Sequence, residues 1–392
     1  MYVTRPRSLY KRDPEALSHP PEGPNLGYLV LQDEEAESYC CFGLWKKGVC
    51  DLPFPQNKNL TVTYTVYIGT SFVVLSDGVM FIPVLNEPLS SNLYYVIRRK
   101  GKHQGEASTG SKEEDMGTCF CCNYVKDVKS RPLNPSDEYQ QFEILKTCCG
   151  FRAKSIASDG FAPLFLRRRG WSLCTKTPHH YHLSEALGIN PILRAKFPPF
   201  TFSSSLDHSE PVVVGKWYCP FMFVKEEGMP VKEQKKESAF YEMTLERRWD
   251  KVFSKENDGN GIQVFVNVVV KSEVAGLGGG REAVWEEGKF GEEEDVMWFR
   301  SLERGERMVG LSMATVERMR WEQERSDWEG KNEKKKQVGF ERTEKFEGIK
   351  SDEWEFFGFY VLVESFVLRR MDGSVILTYD FRHTNHVQCK WK

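Results

Sequence analysis

The densest group of imidazoles in the chain is formed by His179, His180 and His182. Neutral imidazole binds transition metals, and an imidazole that titrates near neutral pH can act as a general acid or base. His383 and His386 are candidates to join the same site if the two halves of the chain pack together. An enzyme that uses this region needs a carboxylate to converge with these imidazoles in a concave pocket. The alternative interpretation of the first cluster is a loop that leads into a short helix.

A second candidate site consists of Cys119, Cys121, Cys122, Cys148 and Cys149, because four thiolates can hold a tetrahedral zinc ion. The two-residue gap of a zinc knuckle occurs between Cys119 and Cys122. Cys148 and Cys149 are adjacent, which is the wrong spacing for the second half of such a site. We therefore predict buried or loop thiols, and we assign no metal and no cofactor to the chain.

Two further patterns resemble ligand-binding motifs. Residues 276–281, Gly-Leu-Gly-Gly-Gly-Arg, lack the third glycine of a dinucleotide-binding loop, and no helix follows, so they predict a hairpin loop. Residues 98–103, Arg-Arg-Lys-Gly-Lys-His, and the triplet 167–169, flanked by Phe165 and Trp171, carry charges and rings that can contact phosphate or anionic lipid. Such runs are more often solvated faces. The sequence contains no GxSxG, HExxH or Walker A signature.

Composition limits the class of protein. The chain has 392 residues, of which 40% are hydrophobic and 13% aromatic, so it folds, and its length predicts two domains or one domain with large insertions. Its formal net charge of −2 supplies no overall field that attracts nucleic acid. No apolar run reaches the roughly 18 to 20 residues of a membrane-spanning helix. An odd number of cysteines without a secretory signal predicts an intracellular protein, cytoplasmic or nuclear.

Cysteine and tryptophan are distributed unevenly. Nine of the 11 cysteines lie at or before Cys174, and eight of the 10 tryptophans lie at or after Trp217. We predict a Cys-rich, β-containing unit over residues 1–200 and a Trp-rich antiparallel β unit over residues 211–392, with a linker near residues 196–210. The predicted fold class is α+β and strand-dominated, with antiparallel sheets and a few short helices in two packed β-rich units.

Local patterns predict several of the elements. Residues 60–67 alternate threonine with apolar residues and predict a strand, and Asp-Gly at 372–373 predicts a tight turn between two long strands. Residues 139–145 and 151–156 predict a hairpin around Gly150. Residues 309–325 predict a strand, since Met319 and Trp321 alternate with charged residues. Short helical turns are predicted at 183–187 and 191–195.

Segments rich in proline and aromatic residues occur along nearly the whole chain. They include Met1-Tyr-Val-Thr-Arg-Pro, Pro20-Pro-Glu-Gly-Pro-Asn, Leu52-Pro-Phe-Pro-Gln-Asn-Lys, Pro88-Leu-Ser-Ser-Asn, Gly215-Lys-Trp-Tyr-Cys-Pro-Phe-Met-Phe-Val-Lys-Glu, Phe240-Tyr-Glu-Met-Thr-Leu-Glu, Val316-Glu-Arg-Met-Arg-Trp-Glu-Gln-Glu-Arg and Arg370-Met-Asp-Gly-Ser-Val. These segments resemble a land-plant family known only as domain of unknown function 1262. Leu93, where the family pattern has arginine, departs from it. The resemblance implies a plant protein and carries no activity, cofactor or catalytic residue.

The lack of a catalytic signature in a chain that folds favours a non-enzymatic binding or interaction protein of plants, one hypothesis being a role in stress or defence. A protein is the predicted partner, and no nucleic-acid signature is present. Two alternatives stay open at this point. One is an enzyme with a His-containing site. The other is a membrane-active β protein, in which an amphipathic hairpin such as residues 262–285 inserts into lipid.

Overall fold

Alternating apolar and polar residues make strands the main element of the chain. A computed structural model describes residues 1–31, 39–40, 45–46, 48–119, 122–178, 182–259, 262–287, 295–301, 308–328, 337–348 and 353–392. The strand-dominated α+β class, with several antiparallel sheets and few short helices, is confirmed. None of the helices in these ranges is long and apolar enough to cross a membrane.

The strands are numbered in chain order. They are β1 (Tyr2–Pro6), β2 (Gly27–Leu31), β3 (Tyr39–Cys40), β4 (Trp45–Lys46), β5 (Asn59–Ile68), β6 (Ser71–Pro83), β7 (Leu93–Arg98), β8 (Met116–Cys119), β9 (Cys122–Val125), β10 (Gln141–Thr147), β11 (Gly150–Ser155), β12 (Ser172–Lys176), β13 (Gly188–Ile189), β14 (Val212–Pro220), β15 (Val224–Glu226), β16 (Phe240–Glu256), β17 (Gln263–Lys271), β18 (Glu273–Leu277), β19 (Arg281–Glu287), β20 (Val296–Ser301), β21 (Val309–Ser312), β22 (Gln337–Lys345), β23 (Phe356–Arg369) and β24 (Val375–Trp391). The helices are α1 (Arg7–Arg12), α2 (Leu164–Arg167), α3 (Pro191–Arg194), α4 (Val231–Glu237) and α5 (Met313–Glu324). Single 3-10 turns lie at Pro14–Leu17, Leu89–Ser91, Glu113–Asp115, Glu138–Gln140 and Phe221–Phe223.

The larger sheet has the strand order β15-β21-β20-β19-β18-β24-β23-β16-β14-β1-β2, and β13 also pairs with β14. Neighbouring strands are antiparallel except β1 and β2, which are parallel. β23 is buried on both faces, as its nearly continuous apolar sequence indicates. The predicted turn at 372–373 joins β23 to β24 and is confirmed. β1 and β2 come from the first 31 residues and lie in this sheet beside β14, so strands from before and after residues 196–210 share it. The proposed unit boundary stays a prediction.

The smaller sheet has the order β11-β10-β7-β6-β5-β12. The predicted hairpin around Gly150 is confirmed as β10 and β11. One face of the sheet encloses an aromatic core that contains Phe54, Phe81, Phe151 and Trp171. The other face of β6 and β7 contributes to the core of the larger sheet. Phe81 and Trp171 are stacked with ring centroids 6.0 Å apart.

Two predictions of local structure are wrong. Residues 313–324 form α5 rather than a strand. Val316, Met319 and Gln323 are buried at the spacing of one helical face, whereas the alternating charges around Trp321 suggest a period of two. Residues 183–187 form no helix, whereas α3 begins at Pro191 with Asn190 as its N-cap.

The amphipathic hairpin predicted over residues 262–285 forms only in its second part, where β18 and β19 pair with each other. β17 pairs with β22, and β18 pairs with β19 and β24. The glycine-rich residues 278–280 form the turn between β18 and β19, as predicted. Val264 and Val266 of β17 pack on Phe357 and Phe359 of β23, which accounts for the apolar face of this strand.

Candidate functional site

A hairpin formed by β5 and β6 projects beyond the smaller sheet. β12 pairs with β5 only as far as Thr63, and β7 pairs with β6 only as far as Val79. β5 and β6 continue to pair with each other up to Ile68 and Ser71. At a rise of about 3.4 Å per residue, the hairpin extends about 15 Å beyond the end of β12. We refer to residues 64–75 as the tip hairpin.

Both faces of the tip hairpin are apolar and exposed to solvent. Successive side chains of a strand point to opposite faces, so the register assigns each residue to a face. The exposed fractions run from 40% at Leu75 to 74% at Tyr67. The residues are Tyr67, Phe72 and Val74 on one face and Ile68, Val73 and Leu75 on the other. The tip hairpin is thus a projecting apolar element and differs from the half-buried strands around it.

The tip hairpin carries no charge. No Asp, Glu, Lys or Arg occurs in residues 59–76. Gly69 has φ +63° and occupies the first central position of the two-residue turn, where a tight hairpin of this type requires a positive φ. Because the turn is short, it adds only Gly69 and Thr70 to the apolar surface. Because the hairpin carries no charged side chain, moving it from water into a less polar medium incurs no free-energy cost of desolvating an ion.

Cationic side chains lie at the base of the tip hairpin. Arg98 pairs across from Val79, and the backbone N–H of Arg99 donates to the carbonyl of Gly78 at 2.9 Å, so this segment leaves the sheet where the tip hairpin begins. The guanidinium of Arg98 lies 4.8 Å from the ring centroid of Phe165 in α2, which brings the triplet 167–169 to the same end of the sheet. We call the six residues the basic collar: Arg98, Arg99, Lys100, Arg167, Arg168 and Arg169.

Two carboxylates pair with members of the collar. Arg98 Nη2 lies 2.7 Å from Asp77 Oδ1, and Arg167 Nη2 lies 3.3 Å from Asp127 Oδ1. Burial and the negative charges of Asp77 and Asp127 raise the pKa of Tyr64 at the start of the tip hairpin. The positive charge of Arg98 partly opposes this increase. The collar, these carboxylates and the hairpin therefore form one neighbourhood.

The remaining cations of the collar create a local positive field. Lys100, Arg168 and Arg169 are exposed and form no ion pair with any other residue that the structure describes. Burial, followed by the charges of Arg99 and Lys100, lowers the pKa of Lys235 in α4 to about 8. Lys235 lies beside this segment, since its Nζ is 3.4 Å from the carbonyl oxygen of Arg99. The patch is local, because the whole chain has a net charge of −2.

A second charged cluster is enclosed between the larger sheet, α3 and α5. Glu364 and Glu322 are fully buried. Arg194 donates to Glu364 Oε2 at 2.6 Å and to Glu322 Oε2 at 3.1 Å, and Arg247 Nε lies 3.1 Å from Glu364 Oε1. Burial raises the pKa of Glu364, but Arg194, His383 and Arg247 outweigh burial and hold this pKa below its usual value. Because these carboxylates are buried and paired with arginines, we assign the cluster a structural role.

The pKa of His383 predicts a pH-dependent stability. Burial lowers the pKa of His383 from 6.5 to about 4. The negative charge of Glu364 opposes this decrease, and the positive charges of Arg194 and Arg247 add to it. Below pH 6.5 the unfolded chain binds a proton that the folded chain does not, so the free energy of unfolding falls as the pH decreases from 6.5 to 4. The difference between the two pKa values corresponds to at most about 3 kcal/mol.

Urea unfolding of the native sequence and of His383→Gln across this pH range measures the effect. We expect a shallower pH dependence in His383→Gln, because glutamine does not titrate. His386→Gln is the control, since His386 is partly exposed and lies at the edge of the cluster, 6.3 Å from His383 between ring centroids. If the free energy of unfolding depends on pH equally steeply in the native protein and in His383→Gln, the lowered pKa of His383 is contradicted.

The histidines proposed as catalytic do not assemble within the described residues. His179 and His180 lie outside them, and His182 is exposed. His383 is 1% exposed, and its Nε2 donates to Gln323 Oε1 at 3.0 Å. Two open pockets, of about 590 Å³ beside Trp354 and about 390 Å³ beside Arg370, contain no histidine or cysteine in their walls.

The candidate zinc ligands are only partly described. Cys121 lies outside the described residues, and for Cys119 and Cys122 the structure describes only the backbone, which pairs across β8 and β9. Cys148 and Cys149 are exposed in the turn between β10 and β11, with their sulfurs 3.4 Å apart. Among the described residues, no three His, Cys, Asp or Glu side chains form a group that can hold a metal ion.

The sequence predicts residues 60–67 as a strand and the two basic runs as solvated faces, but it does not predict the tip hairpin as a site. The available signal was the absence of charge over residues 59–76, together with two basic runs further along the chain. The strand register of the smaller sheet is what brings these three segments together.

Comparisons with known proteins give little functional information. Residues 22–123 match a family described as "Protein of unknown function (DUF1262)". This range contains β5, β6 and the first half of the basic collar. No curated protein matches the chain. Among solved structures, the chain is similar to one described as "Crystal structure of Cry35Ab1", with a TM-score of 0.46 and 10% sequence identity over 86% of this chain and 90% of that chain. A similarity at this level carries no argument about function.

Proposed function

We propose that the protein is a non-enzymatic binding protein that attaches to the surface of a lipid bilayer through its tip hairpin. The observation that supports this most directly is the exposure of apolar side chains on both faces of one projecting hairpin. A protein partner usually covers one face of a strand pair, whereas lipid surrounds an inserted element on all sides. Soluble proteins rarely leave a contiguous apolar patch exposed without a binding role.

The expected contribution of the tip hairpin is sufficient for reversible attachment. Removing a half-exposed Val, Ile, Leu or Phe side chain from water stabilises by on the order of 1 kcal/mol, so the five such residues of the tip hairpin give about 5 kcal/mol. The energy of electrostatic attraction adds to this value. Attachment by this hairpin is therefore expected to depend on both terms.

The length of the tip hairpin limits how deeply it enters. Its projection of about 15 Å is roughly half of the ~30 Å hydrocarbon core. The outer edges of β5 and β6 beyond Thr63 and Val79 also lack a neighbouring strand among the described residues. Unpaired backbone groups are costly in hydrocarbon, so the tip belongs in the headgroup and upper acyl region, where water reaches it.

Co-sedimentation with vesicles of phosphatidylcholine mixed with phosphatidylserine tests the proposal. The triple variant Ile68→Ser, Phe72→Ser and Val74→Ser is expected to bind roughly 100-fold more weakly, since each substitution removes on the order of 1 kcal/mol. These side chains are 64%, 64% and 55% exposed, so the variant should keep its fold and its melting temperature.

A matched control removes equally exposed apolar residues elsewhere. Leu187, Ile192 and Val269 are 60%, 71% and 61% exposed, and none lies on β5 or β6. Their triple substitution to serine should leave vesicle binding unchanged. Equal binding by the two triple variants would overturn the proposal, and so would self-association of the native protein that accounts for all of the sedimentation.

The land-plant origin, the role in stress or defence and the intracellular location, cytoplasmic or nuclear, stay predictions from the sequence. They are compatible with the proposed function, because the cytoplasmic leaflet of cell membranes carries anionic lipid.

A further inference from the structure

We infer that the basic collar makes this attachment selective for anionic phospholipid headgroups. The inference rests on the proposed function and adds the chemical class of the partner. It follows from the positions of the collar cations relative to the tip hairpin, from their exposure and from the chemistry of guanidinium and ammonium groups.

The collar lies at the depth where headgroups are expected. When the tip hairpin occupies the upper acyl region, its base lies at or just above the phosphates, since the hairpin is only about 15 Å long. Lys100 on one edge and Arg168 and Arg169 on the other are exposed at this base. Cations within a Debye length of the surface, about 8 Å at physiological salt, are attracted to an anionic leaflet.

The chemistry of the collar suits phosphate. Arginine provides a planar fork of donors that can bind two phosphate oxygens at once, and it loses less hydration than lysine when it does so. The carboxylates near the base, Asp77 and Asp127, are engaged by Arg98 and Arg167 at 2.7 and 3.3 Å. Lys100, Arg168 and Arg169, which have no ionic partner among the described residues, are left to attract headgroups.

The collar is also held in place by packing. The stacking of Arg98 on Phe165 ties the two edges together, and the indole N–H of Trp171 donates to the carbonyl of Leu166 at 2.8 Å, directly beside the triplet 167–169. Cations carried on a fixed backbone lose less conformational freedom on binding than cations on a mobile segment do. This packing distinguishes the collar from an ordinary solvated run of charges.

The experiment compares three forms of the full chain on two kinds of vesicle. One kind is phosphatidylcholine alone, and the other is phosphatidylcholine with phosphatidylserine. The collar variant is Lys100→Gln, Arg168→Gln and Arg169→Gln. The control variant is Arg12→Gln, Lys196→Gln and Lys345→Gln, which removes the same charge from exposed positions outside the collar.

We expect the collar variant to bind the anionic vesicles roughly 100-fold more weakly than the native protein and to bind phosphatidylcholine vesicles equally well. The control variant should keep most of the preference for anionic vesicles, and added salt should weaken binding of the native protein more than that of the collar variant. Circular dichroism and the melting temperature confirm that all three forms are folded.

The two proposals fail in different ways. If the collar and control variants lose anionic binding equally, or if the native protein shows no preference for anionic vesicles, the collar inference is overturned while attachment by the tip hairpin stands. If the native protein binds neither kind of vesicle, both are overturned.

Discussion

Replacing Glu364 by alanine is expected to lower the free energy of unfolding by about 3 to 5 kcal/mol. Glu364 is fully buried and is the shared partner of Arg194 and Arg247. Gln323 Nε2 also donates to Glu364 Oε2 at 2.9 Å. Removal of the carboxylate leaves two guanidinium groups, on side chains that are only 12% and 8% exposed, without their shared anion, and such buried charge is costly.

Urea unfolding followed by circular dichroism measures the effect of Glu364→Ala. Glu242→Ala is the matched control on the adjacent strand β16, because Glu242 forms an ion pair with Lys216 at 2.7 Å and is 32% exposed. Solvent screens that pair, so the control should lose no more than about 1 kcal/mol. A loss in Glu364→Ala that does not exceed the loss in Glu242→Ala would contradict the structural role of the buried cluster.

The second large effect is expected from Trp171→Ala, which should also cost about 3 to 5 kcal/mol. Trp171 is fully buried, and its ring lies 5.2 Å from Phe151 and 6.0 Å from Phe81 between centroids. Its indole N–H donates to the carbonyl of Leu166, so the truncation leaves both a cavity and an unpaired acceptor. The loss of stability is expected in the smaller sheet, which carries the tip hairpin.

Thermal unfolding monitored by near-ultraviolet circular dichroism reports on this aromatic core. Tyr67→Ala removes an aromatic ring from the same sheet at a position that is 74% exposed, and it should change the stability by less than about 0.5 kcal/mol. Comparable losses in the two variants would show that the aromatic core does not hold the smaller sheet.

Local chemistry explains which elements were predictable. The Asp-Gly turn before β24 is encoded by the two residues that adopt it, and the period of β5 is visible in its threonines. α5 was not predictable in the same way, since its buried face includes Arg318, Glu322 and Gln323, whose burial depends on partners distant in sequence. Polar residues on a buried helical face hide the helical period.

The candidate site depends on long-range register, which a single sequence does not reveal. Alternation shows that Val66 and Tyr67 point in opposite directions, but it does not show that both directions lead to solvent. The basic runs at 98–100 and 167–169 were visible, whereas their convergence depends on the packing of Arg98 against Phe165. The tip hairpin is thus visible only once the neighbouring strands are known to end early.

The position of β1 between β14 and β2 imposes an order on folding during synthesis. Tyr2 pairs with Tyr218, so β1 gains its antiparallel neighbour only after all of the chain between β2 and β14 has been made. Contacts of such high sequence separation form slowly, and unpaired strand edges favour aggregation while they persist. The nascent chain must therefore keep β1 and β2 from pairing wrongly until β14 emerges.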